Sequence, residues 1–217
     1  MSKLETKTSE EIYKIVGIDL AGVDNRPTGF ATLNGVSVKT KVLFHDEEII
    51  GEIFNLMVGT IESNGLISID APLNRPSKGK SRICEKALRR LGIRVFPCMF
   101  AGMAKLTERG IKLATKLRGY HYEVIESYPG SAQDILGIPR KGKNQKLLQD
   151  ALIKYGIKGD VTKPNITNHE LDAITSAIVG KLYLQGETVA LGTYKEGFMI
   201  VPRFPTLDNY TQRRKKE

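Results

Sequence analysis

The chain has 217 residues, 41% hydrophobic and 26% charged, which is enough apolar material for one globular core and excludes a globally disordered chain. No apolar run approaches the roughly 18 residues of a membrane span, the opening MSKLETKTSEE has no apolar signal core, and Cys84 and Cys98 have neither metal-type nor disulfide-framework spacing. The expectation is a cytoplasmic, reducing setting without membrane contact, for a protein whose net charge of +9 suits a polyanionic partner.

In chain order, residues 1–11 read as a flexible leader. The dense Ile and Val of 12–20 predict a buried strand, and Gly22, Asp24 and Asn25 a loop after it. A second strand spans 27–33. Asn34-Gly35 then supplies the two positive-φ positions of a tight hairpin turn, and a third strand alternates over 36–44. A three-stranded antiparallel meander is therefore expected.

Ile49, Ile53, Leu56, Met57 and Val58 give 46–62 a helical apolar face, with Asp46 as its N-cap. A buried strand at 66–69 leads into Asp70 and is stopped by Ala71-Pro72. A loop marked by Asn74, Pro76 and Gly79 precedes a short basic helix over 81–91 and a longer helix over 101–117. A strand at 122–127 ends at Tyr128-Pro129-Gly130. Short helices are expected at 131–136 and 143–155, then a loop over 156–166. Thr167 and Glu170 have the spacing of a capping box and open a helix to about 184. A final hairpin or edge element lies over 188–201. The order βββαβ followed by helices, a strand and a helix predicts an α/β domain, a mixed five-stranded sheet with helices on both faces. It is also the element order of the ribonuclease H-like fold. The domain spans 12–202, with a basic helical insertion at about 73–118 and a basic tail over 203–217.

Four acids stand where a site would need them. Asp19 ends VGID, Asp70 ends LISID and Glu126 lies near the end of EVIES, each in an apolar strand. Asp172 lies in the first turns of the helix NHELDAITSAIVG. A carboxylate beside a buried strand costs several kcal/mol unless paired or bound to a cation. Carboxylates converging from different elements suit Mg²⁺, which takes oxygen ligands and keeps its waters. His169 shares a helix face with Asp172 at i, i+3. Ala173, Ser176, Ala177 and Gly180 are small enough to let that helix approach a sheet closely.

The segments GIDLAG, PTGFA, SIDAPLNRP, VIESYPGS and HELDAITSAI together resemble the predicted nucleases of ribonuclease H-like fold grouped as domain of unknown function 429, over about residues 12–200. The helix His169-x-x-Asp172 is similar to that of RuvC-like nucleases. The resemblance implies a nuclease hydrolysing phosphodiester bonds of DNA or RNA with two Mg²⁺ or Mn²⁺ ions. Asp19 would serve both ions, Asp70 and Asp172 one each, and His169 would orient or deprotonate the attacking water. The second acid is often Glu in the RuvC-like group and is Asp here. Glu126 lies one strand further on, and three roles stay open for it: metal ligand, outer-shell group, or ion-pair partner of the basic block. RuvC-like junction resolvases act as dimers, but no dimer signature stands out, so oligomeric state stays open.

Residues 75–118 carry thirteen Lys and Arg against Glu85 and Glu108, a block suited to nucleic-acid phosphates. Lys78 and Lys80 on the flexible loop, with Arg82 and Arg90 on the basic helix, are the expected substrate contacts, while Glu85 and Arg89 form an i, i+4 pair. Neither cysteine has an activating base, and no phosphate-binding loop of the G-x-x-x-x-G-K-[ST] type is present. Two rival readings remain. One is a catalytically silent nucleic-acid-binding protein on the same scaffold. The other is a nucleotide phosphohydrolase of the actin and sugar-kinase group, which the single copy of the fold disfavours.

Overall fold

The computed structural model describes residues 14–57, 65–140, 142 and 144–203. The expected leader, the last turn of the helix expected over 46–62 and nearly all of the expected tail lie outside these residues. Strands β1 (Lys14–Asp19), β2 (Thr28–Asn34) and β3 (Ser37–Leu43) form the antiparallel meander. Helix α1 (Asp46–Met57) leads to β4 (Gly65–Asp70), which runs parallel to β1. Helices α2 (Ile83–Arg90) and α3 (Met103–Gly119) precede β5 (Glu123–Ser127), parallel to β4. Then come α4 (Pro129–Leu136), α5 (Gln145–Lys154), the two-residue β6 (Lys158–Gly159), α6 (Asn168–Leu184), β7 (Thr188–Thr193) and β8 (Gly197–Pro202).

The sheet is mixed and has eight strands in the order β6-β3-β2-β1-β4-β5-β8-β7. It is thus larger than the five strands expected. The C-terminal hairpin does not stand apart: β8 pairs in parallel with β5 and covers its unpaired backbone. β6 lies in a stretch with no apolar alternation and extends the other edge beside β3.

Strand parity divides the core in two. Ile15, Ala31 and Leu33 face α6, where they pack with Ala173, Ile174, Ala177 and Ile178. Val16, Ile18, Phe30, Ile67 and Ile69 face the other way, toward Ile49 and Ile53 of α1 and Leu113 and Leu117 of α3. Helices therefore cover both faces, and α3 belongs to the central core. Each buried Ile, Leu or Phe contributes about 1.5–3 kcal/mol of transfer free energy.

Helix α6 is buried nearly all round, with twelve of its seventeen residues buried, and it lies across β1, β2 and β4. Glycine makes this approach feasible. A Cβ on Gly17 would overlap the Ala173 carbonyl oxygen and the Ala177 nitrogen, and one on Gly29 would overlap the His169 carbonyl. The expected capping box is present, with Thr167 Oγ1 accepting from the Glu170 N–H and the Glu170 carboxylate accepting from the Thr167 N–H. Glu170 also accepts from the Thr40 hydroxyl at 2.7 Å, tying the start of α6 to β3.

Candidate metal centre

Asp19 and Asp70 end adjacent parallel strands and are register partners. Parity puts both on the sheet face that α6 covers, because Asp19 follows Gly17 by two residues and Asp70 follows Ser68 by two. The tight seat of α6 on Gly17 and Gly29 brings Asp172, in its second turn, to the same place. One carboxylate oxygen from each of Asp19, Asp70 and Asp172 lies within 4.8 Å of the other two. Asp19 and Asp172 are buried and Asp70 is half-buried. Three anions this close repel one another strongly in a partly desolvated site unless a cation sits among them.

His169 joins the cluster through Nδ1, 2.8 Å from Asp19 Oδ2. An ionised carboxylate only accepts, so Nδ1 donates and Nε2 is the ring nitrogen left to face outward from the Asp19 contact. Asp172 Oδ1 accepts from Gln133 Nε2 at 2.9 Å, and the same amide reaches Thr175 Oγ1. Gln133 is an orienting residue that sequence reasoning missed. It lies on α4, far from Asp172 in sequence, and a glutamine in a short helix carries no signal of its own. The loop after Asp19 is also clamped, by Ala21 N donating to Thr28 Oγ1 and by Arg109 donating to the Ala21 carbonyl.

Glu126 is not part of this cluster. In the β4–β5 register it stands opposite Ile69, and Ser127 stands opposite Asp70. Its side chain therefore leaves the sheet on the face away from α6. There it accepts from Arg82 Nη1 at 2.7 Å and Nη2 at 2.5 Å, and from the Leu73 N–H at 2.8 Å. Of the three roles open for Glu126, the structure shows the ion pair with the basic block.

The same geometry corrects the expectation that Arg82 contacts substrate. Its side chain is 0% exposed, and its Nε donates to Glu85 as well. Burial alone would lower the Arg82 pKa, but Glu126 and then Glu85 outweigh it and hold the guanidinium charged. Glu85 is thus engaged by Arg82 and by the Cys98 N–H rather than by Arg89, which bonds Ser81 and the Val95 carbonyl. Arg109 is also structural, pairing with Asp46 in the first turn of α1 and with the Phe44 carbonyl. Lys78, Lys80 and Arg90 are exposed. Burial pushes the Cys84 thiol up to about 12 and the Cys98 thiol up to about 11, so neither is a thiolate at neutral pH.

No helix among the described residues is long and apolar enough to cross a membrane. No family model matches the chain, and comparison with curated proteins finds no match.

Proposed function

We propose that this is a metal-dependent nuclease of ribonuclease H-like fold, hydrolysing phosphodiester bonds of DNA or RNA with Mg²⁺ or Mn²⁺. The observation that carries the reading is the convergence of Asp19, Asp70 and Asp172 from two strand ends and a packed helix. The βββαβ order of the first five elements supports the fold assignment. The donor set fits a hard divalent cation, being entirely anionic oxygen from separate rigid elements. Asp19, Asp70 and Asp172 would hold the ions. When bound, such ions supply Lewis acidity toward the water nucleophile and charge neutralisation at the departing oxygen.

The chain's own groups do the rest. Gln133 fixes the rotation of the Asp172 carboxylate, and Asp19 fixes the tautomer of His169. With Nδ1 donating to Asp19, the His169 ring can accept a proton at Nε2 or orient a water there. Its side chain is 41% exposed, so water reaches it. Lys78, Lys80 and Arg90 would position the phosphate backbone without reading bases.

The test is cleavage of labelled single-stranded, duplex and four-way-junction DNA and RNA with Mn²⁺ or EDTA, run on the native protein and on Asp19→Asn. Cutting is expected only with metal and only in the native protein. Saturating Mn²⁺, at about 100 times its Kd, should also raise stability by about 2.7 kcal/mol, and Asp19→Asn should lose most of that gain. Salt-sensitive binding by both proteins, without cutting or metal stabilisation, would establish the silent binder instead.

A further inference from the structure

A cavity of about 140 Å³ opens at the carboxyl ends of β4 and β5, with Asp70 of the carboxylate cluster on its wall. A cavity of about that size takes one six-membered aromatic ring. Its lining surface is mostly apolar and includes Phe96 and Tyr128, with the paired Arg82, Glu85 and Glu126 on its inner wall. Phe96 is 67% exposed, an unusual state for a large aromatic side chain with no covering element. Ser127 also lines the cavity, and its hydroxyl is buried with no hydrogen-bond partner among the described residues.

Val95, Phe96 and Tyr128 form a wall shared with a second cavity of about 580 Å³. Charge changes across that wall, since Arg89, Arg94 and Arg140 line the far side. Arg140 is held by Asp134 and lies over the Tyr128 ring at 5.6 Å. Arg94 is exposed, and its guanidinium has no partner among the described residues. Carboxylates, a ring-sized aromatic slot and a basic recess thus follow one another across the surface. A nucleic-acid strand presents phosphate, base and next phosphate in the same succession.

We infer that the smaller cavity holds the unpaired base next to the phosphate at the carboxylate cluster, while the basic recess takes the following phosphate. This rests on the nuclease reading above and narrows its substrate to single strands, or duplexes with an unpaired nucleotide at the cut. A base stacked in a duplex cannot enter a pocket without leaving its stack. A slot sized for one six-membered ring fits a pyrimidine better than a two-ring purine, and stacking on its walls adds little further base discrimination.

The probes are a labelled oligothymidylate, the same strand with one abasic position, and a blunt duplex. Binding is measured by fluorescence anisotropy with Ca²⁺, and cutting separately with Mn²⁺. Phe96→Ala is chosen because an exposed side chain can be truncated without disturbing the core. It should weaken single-strand binding about tenfold and leave duplex binding within twofold. Arg94→Ala should weaken single-strand binding and lower its salt dependence. An abasic position beside the cut should slow native cutting, with no further loss in Phe96→Ala. Metal-dependent cutting indifferent to Phe96→Ala and to the abasic position would overturn the pocket and leave the nuclease reading standing. Single-strand binding sensitive to Phe96, without cutting in any metal, would do the reverse.

Discussion

A guanidinium with no exposure is tolerable only where its charge is met on several sides, and Arg82 is met by two carboxylates. Removing one partner costs more than the pair itself is worth, because the remaining charge stays buried. Glu126→Gln is the informative change. Whichever way the new amide turns, its NH₂ faces a donor, either Arg82 Nη2 or the Arg82 Nη1 and Leu73 N–H pair. Urea denaturation should show a loss of about 3 kcal/mol, at the lower end of the range for broken buried pairs because Glu85 remains. The stabilisation by Mn²⁺ should survive, whereas loss of that response with little change in stability would make Glu126 a ligand after all. The convergence of Asp19, Asp70 and Asp172 was legible because each is an acid out of place in an apolar element. Glu126 met the same criterion and differs only in parity, which becomes visible once the β4–β5 register is known. Arg82 looked like its basic neighbours because burial of a charged side chain leaves no mark in local sequence.

Among the elements, α6 decides whether a site exists, and its seat on the sheet is set by absent side chains. Gly29 pairs with Asp19 across β1 and β2 and lies under the His169 carbonyl. Gly29→Ala should push the first turn of α6 outward, stretch the His169–Asp19 bond and cost about 1–3 kcal/mol as an overpacking change. Thermal melts with and without Mn²⁺ check both parts, since the metal response should shrink along with the stability. The same substitution at Gly51, within α1, should act in the opposite direction. A Cβ there meets no atom within 4 Å, so Gly51→Ala should stabilise by about 0.5–1 kcal/mol through helix propensity. A rise at residue 29 or a fall at residue 51 would contradict the packing described. The helix itself was readable from its capping box and its Ala, Ser and Gly stripe. Its partners Gly17 and Gly29 were unreadable as such, because a glycine in a strand carries no address for the backbone that approaches it.

At the scale of the whole molecule, the strands beyond the expected five hold the basic loop in place. Glu196, in the turn between β7 and β8, accepts from the Ser77 N–H at 2.8 Å and from the Ile83 N–H at 2.7 Å. It therefore pins both ends of the loop carrying Lys78 and Lys80, while Cys84 and Leu88 of α2 pack on Leu191, Met199 and Val201 of the hairpin. The sequence revealed the hairpin but not this tie, which joins residues more than a hundred positions apart. The charge count overstates what a polyanion meets, since Arg82 and Arg109 are spent on internal carboxylates and carbonyls. Neutralised phosphates, not total charge, set the salt dependence of nucleic-acid binding, with a slope of about 0.7 per contact on single strands. Lys78→Ala with Lys80→Ala should flatten the plot of log affinity against log salt by about 1.4 and leave the melting temperature unchanged. Arg109→Met should leave that slope unchanged and lower the melting temperature, because it uncouples α3 from Asp46 and from the loop after Asp19. If both variants flattened the slope equally, binding would follow the overall charge of the molecule, and the pinned loop would have no special part in it.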